Sequence, residues 1–266
     1  MIPSTDKKLG LIGLGAFGRL AALHLREHFE IVAADAVDRS NEAAELGIAW
    51  GSTAEAAACA YVLLAVPVQS FPALLESARV HMQPGALVMD VASVKLATAI
   101  AMEQFLPDYV EILATHPMFG PQSAADGLAG HRIVLCPVRT QRLESARDFL
   151  EKELGLDVHV CDAETHDRDI AQTQALAQFV GRALAQMEKS DSPVRTPGYN
   201  RLREVADTVG DDTWELFTAI QNLNPYSAKM RAELLGQLED LQRRLAQETG
   251  ADADDEETSN AEGSGS

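Results

Sequence analysis

Residues 9–22, LGLIGLGAFGRLAA, decide the fold. A short apolar run ends in Gly13-Leu14-Gly15-Ala16-Phe17-Gly18, and a helical pattern opens directly behind it. The three glycines have separate physical tasks. Gly13 permits a tight turn out of a strand, Gly15 lets a pyrophosphate approach the bare backbone, and Gly18 lets the following helix lie close to the strand. The N–H groups at the helix start, on Ala16 and Phe17, then face the phosphates. A GxGxxG run alone is a weak signal, but here both flanks fit a strand-turn-helix unit. The next apolar run, EIVAAD, ends at Asp35, seventeen residues after Gly18. A carboxylate there accepts hydrogen bonds from an adenosine ribose and repels a 2'-phosphate, so the expected cofactor is NAD. Arg39, four residues on, leaves NADP possible. Val66 and Pro67 of AVPVQ end a further strand, where the crevice for the nicotinamide half is expected.

The same alternation continues outward from this unit. Strands are read at KLGLIG, EIVAAD, YVLLAV, ALVMDV, VEILAT and RIVLCP, with a last one at LDVHVC. Several are near-continuous apolar runs, as expected of strands buried on both faces. The segments between them, such as AFGRLAALHLREH and VQSFPALLESARV, carry apolar residues at helical spacing. This pattern predicts an α/β protein, an N-terminal Rossmann-type doubly wound parallel sheet followed by an all-helical C-terminal domain. A long helix is expected from Asp162, broken by SDSPVRTPGYN, with helices resuming near Tyr199–Thr208, Asp212–Gln221 and Pro225–Gln247. The expected division is 1–161 for the nucleotide domain, 162–247 for the helical substrate and dimerisation domain, and 248–266 for a disordered acidic tail.

Composition narrows the function classes. The formal net charge is −18, which disfavours nucleic acid or an anionic membrane surface as partner, since both need a concentrated basic footprint. Part of that charge is the tail, which holds seven acidic and no basic residues; residues 1–247 carry 33 acidic against 22 basic. Cys59, Cys136 and Cys161 are far apart in sequence with no CxxC pair, so neither a disulfide framework nor a zinc site is expected. No apolar stretch reaches the length of a membrane helix, and the N-terminus lacks a secretory signal. A cytoplasmic location and a homodimer built from the helical domain are expected.

Two strand ends carry polar residues on the edge where the cofactor must lie. VMDVASVKLA presents Asp90, Ser93 and Lys95, and ILATHPMFGP presents Thr115 and His116. Read singly, Ser93 suits a helix N-cap, Lys95 a solvated helix position, and His116 a loop. Read together they suit proton transfer beside a nicotinamide, because an imidazole is neutral near pH 7 and can take a proton from a hydroxyl.

These blocks in order, GLGAFG, AVPVQ, DVASVK, THPMFGP and ETHDRDIAQTQALAQFVGRAL, are similar to those of the prephenate and arogenate dehydrogenases of tyrosine biosynthesis. TPGYNRLREVADTVGDDTWELF resembles the later helices of that family, and the likeness runs over roughly residues 8–235. The resemblance implies an oxidative decarboxylation of a cyclohexadienol, without a metal. It implies His116 as the base on the 4-hydroxyl and Ser93 as the residue orienting that histidine or the hydroxyl. Lys95, Gln178, Arg182 and Asn224 are then the candidates for binding substrate. His166 and Asp167 of ETHDR suit either a place near the domain junction or capping at the start of the long helix.

Gln178 stands where many family members carry a histidine, and no arginine aligns with the one that binds the substrate side-chain carboxylate in the bacterial-type members. Asn224, an amide where an acidic residue would favour the ammonium of arogenate, points to prephenate, with arogenate as the alternative. Two other classes stay open. Beta-hydroxyacid dehydrogenases share this domain order but carry a lysine and an asparagine that QTQALAQFVGRALAQ lacks. A dinucleotide-binding sensor without turnover would retain the fold alone.

Overall fold

The computed structural model describes residues 7–187, 193–210 and 212–261. The N-terminal part runs β1 (Lys8–Ile12), α1 (Ala16–Leu25), β2 (Glu30–Ala34), α2 (Ser40–Glu45), β3 (Ala49–Trp50), α3 (Thr53–Ala57), β4 (Tyr61–Leu64), α4 (Phe71–Ala78), β5 (Leu87–Asp90) and α5 (Lys95–Phe105). It continues with β6 (Glu111–Pro117), β7 (Arg132–Arg139), α6 (Leu143–Lys152) and β8 (Asp157–Val160). Among the described residues these strands form one eight-stranded sheet in the order β3-β2-β1-β4-β5-β6-β7-β8. The order reverses between β1 and β4, the crevice where a doubly wound sheet binds its ligand.

The strand residues alternate between the two faces, as a pleated backbone requires. Leu9, Leu11, Leu63, Leu87 and Leu113 pack on one side of the sheet. Ile12, Val62, Leu64, Val88 and Ile112 pack on the other, with Phe71, Leu75 and Met102 from the covering helices. Cys59 and Cys136 are buried, Cys161 is half-buried, and all three are free thiols.

The expectation of a parallel sheet fails at one strand. β7 runs antiparallel to β6, pairing His116 with Val134 and Pro117 with Ile133. The physical reason lies between them: residues 118–131 form turns and no helix, and without a crossover helix the chain returns antiparallel. β8 then pairs parallel with β7 across α6. The two-residue β3, paired with β2, is an element the apolar pattern did not mark.

The C-terminal part is helical, with α7 (Ala163–Ile170), α8 (Leu176–Gln186), α9 (Pro197–Gly210), α10 (Trp214–Leu223) and α11 (Ser227–Ala261). The single long helix expected from Asp162 is instead α7 and α8 joined through a π turn at Ala171–Ala175. α7 starts with Asp162 as N-cap, its side chain accepting from the Thr165 N–H at 2.8 Å. Gly181 of α8 meets α9 closely: a Cβ there would stand 2.7 Å from Val209 Cγ2 and 3.1 Å from the Val205 carbonyl oxygen. Ala175, Ile220 and Met230 make a small separate core. The helix α11 runs through most of the segment expected to be a disordered tail. Alanine and glutamate, which recur after Ala246, are strong helix formers. Residues 262–266 of that tail, and 190–192 of the SDSPVRTPGYN break, lie outside the described residues.

Candidate active site

The glycine turn is built as its sequence requires. Gly13 has φ +103°, and a Cβ there would stand 2.3 Å from the Ala65 carbonyl oxygen. A Cβ on Gly18 would stand 2.0 Å from the Gly13 carbonyl oxygen, so α1 can approach β1 only without a side chain. Gly15 is different: nothing lies within 4 Å of where its Cβ would be. It is the N-cap of α1, and no side chain caps that helix start. An open Cα in front of uncapped N–H groups, with Ala16 exposed and Phe17 half-buried, fits a pyrophosphate.

Asp35 follows β2 and turns toward this loop. Its Oδ2 accepts from the Leu14 N–H at 2.7 Å and its Oδ1 from the Val37 N–H at 3.1 Å. Arg39 Nε lies 3.5 Å from Asp35 Oδ2, so the cation that left NADP possible is drawn onto the carboxylate and onto Glu42 at 3.2 Å. Val66 Cγ1 stands 3.0 Å from the Cβ position of Gly13, and Pro67 is exposed beside it. The Phe17 ring of α1 lies 6.1 Å from that of Phe119. The histidine-proline block and the glycine turn are therefore neighbours in space.

His116 is not a loop residue. It lies within β6 and is 2% exposed. Its Nδ1 is 2.9 Å from His166 Nε2, and His166 Nδ1 is 2.8 Å from Asp167 Oδ1. Burial, then the neighbouring His166 and Lys95, push the His116 pKa well below its ordinary 6.5, so the ring is neutral at pH 7. A base is lost when it gains a proton, so lowering its pKa moves that loss to more acidic solution. The acid limb of a pH–turnover profile should accordingly fall below pH 6.5; a limb at or above that value would contradict the assignment of the limb to His116.

Of His166 and Asp167, the structure puts the first against His116 and the second against His166. Asp167 does not cap its own helix. Its Oδ1 and Oδ2 accept from the N–H groups of Lys95 and Leu96 at 2.8 and 3.0 Å, which are the first residues of α5, a helix whose N-cap Val94 provides no side-chain cap. The usable signal was the pairing of histidine with aspartate near a helix start, but nothing in the chain order says that its target lies seventy positions earlier.

Several expected site residues have other partners. Lys95 is fully buried, its Nζ 2.5 Å from both Asp90 Oδ2 and the Thr115 carbonyl oxygen. This placement spends the ammonium on the protein's own oxygens. Asp90 Oδ1 also accepts from the Thr115 N–H at 3.1 Å, and the Thr115 hydroxyl donates to the Asp90 carbonyl oxygen. The cluster ties the ends of β5 and β6 together. Asn224 is likewise consumed: its Nδ2 donates to the Asp167 carbonyl oxygen at 2.7 Å and its Oδ1 accepts from the Tyr226 N–H at 2.9 Å. Ser93 sits half-buried in the bend before α5, and the side chain hydrogen-bonded to His116 Nδ1 is His166. Gln178 is 4% exposed and donates to Asp212 Oδ2 at 2.7 Å, while its Oε1 has no hydrogen-bond partner among the described residues. Arg182 donates to the Asp212 carbonyl oxygen at 2.7 Å and lies over the rings of Trp214 and Phe217. Among the described residues no group of His, Cys, Asp or Glu is placed to hold a metal, and no helix is long and apolar enough to cross a membrane.

A reversal of strand order and an uncapped glycine turn define a doubly wound dinucleotide-binding scaffold, with a buried imidazole at the end of one of its strands. Residues 21–159 match the family of the prephenate dehydrogenase nucleotide-binding domain, and 183–257 match the TYRAAT1-like C-terminal domain. The chain belongs to the prephenate dehydrogenase family. It is 29% identical over 230 residues to arogenate dehydrogenase 1 of Arabidopsis thaliana, covering 82% of this chain and 36% of that protein. It is 27% identical to arogenate dehydrogenase 2 of the same plant, covering 91% of this chain and 71% of that protein. The chain thus spans about a third of the length of the first of these relatives. Its fold is similar to that of the A. aeolicus prephenate dehydrogenase crystallised with hydroxyphenyl propionate and NAD+, with a TM-score of 0.72 and 20% identity over 97% of this chain and 98% of that one.

Proposed function

We propose that this chain carries out the NAD-dependent oxidative decarboxylation of a cyclohexadienol of the prephenate type. The observation that carries this reading is His116, buried and neutral at the carboxyl end of β6, in the block whose Phe119 ring lies 6.1 Å from that of Phe17 in the glycine turn. Bound NAD supplies the hydride acceptor. The chain's residues supply position and proton removal: Gly13, Gly15 and Gly18 with the start of α1 hold the pyrophosphate, and Asp35 holds the adenosine ribose. In this reading His116 takes the proton of the substrate hydroxyl, and Ser93, in the bend before α5, bonds that hydroxyl. Loss of carbon dioxide makes the ring aromatic and drives the reaction, so little else is asked of the protein.

The side-chain end of the substrate separates prephenate, a ketone, from arogenate, an ammonium. Prephenate was expected because of Asn224, but both polar groups of that amide are engaged within the protein. Arogenate is therefore a second reading, favoured by the names of the two Arabidopsis relatives. The buried Gln178 Oε1, an acceptor with no hydrogen-bond partner among the described residues, suits an ammonium donor. A homodimer through the helical part belongs to the same proposal, and α11 exposes Leu235, Leu238 and Leu241 along its length.

The test is to follow NADH absorbance with NAD and prephenate, and separately with NAD and arogenate. NADH from at least one substrate is expected, and the larger kcat/KM assigns the side chain. No NADH from either, with NAD binding measured on the same sample, would overturn the proposal in favour of a sensor.

A further inference from the structure

We infer that His166 and Asp167 are positioning residues that fix the proton on His116 Nδ1 and leave its Nε2 as a bare acceptor facing the reaction. This rests on the reading of His116 as the base. The argument is a count of protons along one buried chain of hydrogen bonds, starting at Asp167.

The Asp167 carboxylate accepts from two backbone N–H groups, those of Lys95 and Leu96. Backbone amides can only donate, so both oxygens must act as acceptors there. Oδ1 also faces His166 Nδ1 at 2.8 Å. That nitrogen must therefore carry a hydrogen, since a bare Nδ1 would set lone pair against lone pair. Lys95 Nζ beside the pair disfavours a further proton there, and an imidazole that carries only Nδ1–H has a bare Nε2. His166 Nε2 is 2.9 Å from His116 Nδ1, so the hydrogen between them belongs to His116 Nδ1. One proton remains to be placed on the neutral His116 ring, and it is already used. Its Nε2 is then an acceptor.

The surroundings hold this assignment in place. Asp167, His166 and His116 are 0%, 2% and 2% exposed, so water has little access to replace a missing partner. The two rings meet edge to face, 69° apart with centroids at 5.1 Å. Lys95 Nζ, held by Asp90 and the Thr115 carbonyl oxygen, adds a positive charge nearby. It opposes a further proton on His116, whose pKa burial already lowers, with His166 and then Lys95 adding to the shift. Asp167 itself is locked by α5, an element far from it in sequence. The cap of one helix thus sets the tautomer of a base on a strand, through the side chain of His166.

Asp167→Asn tests this. An asparagine has one acceptor oxygen where the aspartate uses two, so its NH2 must face a backbone N–H of α5 on one side or the other; in the orientation that turns it toward His166 the whole chain reverses. His166 Nδ1 would then accept, the proton would move to His166 Nε2, and His116 Nε2 would carry the hydrogen and cease to be a base. The first measurement is the tautomer of each ring by long-range 1H–15N correlation on wild-type protein labelled at histidine. Peaks are assigned with His116→Asn and His166→Asn. The expected result is Nδ1–H for both His116 and His166. The second measurement is kcat, KM and NAD affinity of Asp167→Asn. The expected result is a kcat lower by about a hundredfold, with KM and NAD affinity within a few-fold. Nε2–H on His116 in the wild type would overturn the inference, as would wild-type kcat in a folded Asp167→Asn protein whose spectrum shows Nε2–H on His116. Should that variant fail to fold, the wild-type spectrum decides alone. The spectrum needs no substrate, so a wrong substrate class leaves it standing, and a wrong tautomer leaves the NADH assay standing.

Discussion

His116→Asn lowers turnover by about a hundredfold or more while leaving NAD affinity within a few-fold of wild type; this is the largest effect on activity expected of any single replacement outside the cofactor turn. A hundredfold corresponds to about 2.7 kcal/mol of lost transition-state stabilisation. Asparagine retains a donor and an acceptor of similar reach but cannot titrate, so it separates proton transfer from mere hydrogen bonding. The NAD side should be spared, because the glycine turn and Asp35 hydrogen-bond to each other without His116. Fluorescence titration of NAD and steady-state kinetics on the same preparation check both halves. Turnover near that of the wild type would return His116 to the status of a buried strand residue.

Lys95→Met should have the largest effect on stability. Met fills a similar volume, but it leaves the fully buried Asp90 carboxylate without its countercharge. Asp90 would retain the N–H groups of Ala92 and Thr115, at 3.1 Å each, and nothing more. Removing one partner of such a pair costs about 3–5 kcal/mol, a fall in Tm on the order of 10 °C for a chain of this size. The double variant Asp90→Asn with Lys95→Met should be less destabilised than the single one, because neither charge is then left alone. Thermal or urea unfolding of the two proteins decides this. A residue that held substrate would behave oppositely, with a raised KM and an unchanged Tm, so an unchanged Tm would restore Lys95 to the substrate site.

The parts of this protein that local sequence determines were legible in it. The glycine turn is a matter of six adjacent residues, and its steric demands at Gly13 and Gly18 follow from atoms no further away than Ala65. Strands buried on both faces advertise themselves as apolar runs. The direction of β7 was not legible, since its residues pack equally well either way and only the connection from β6 decides. β3 has two residues, too few to show a period. At the site, His116 stood out by its place at a strand end. The roles of Lys95, Asp167 and Asn224 did not, because each is defined by a partner in another element. Asn224 and Asp167 are 57 residues apart, and Lys95 reads as a surface lysine until Asp90 and the end of β6 are folded around it.

The π turn at Ala171–Ala175 bears on how such a chain can change over time. One extra residue in a helical turn offsets everything beyond it by about 100° around the axis. Before the turn, His166 and Asp167 serve the sheet; after it, Gln178 and Gly181 serve the helices. The turn uncouples the two stripes, much as a rotated joint lets two lengths of pipe take fittings at unrelated angles. Residues that choose the substrate can then drift on one length while those that guard the chemistry stay fixed on the other.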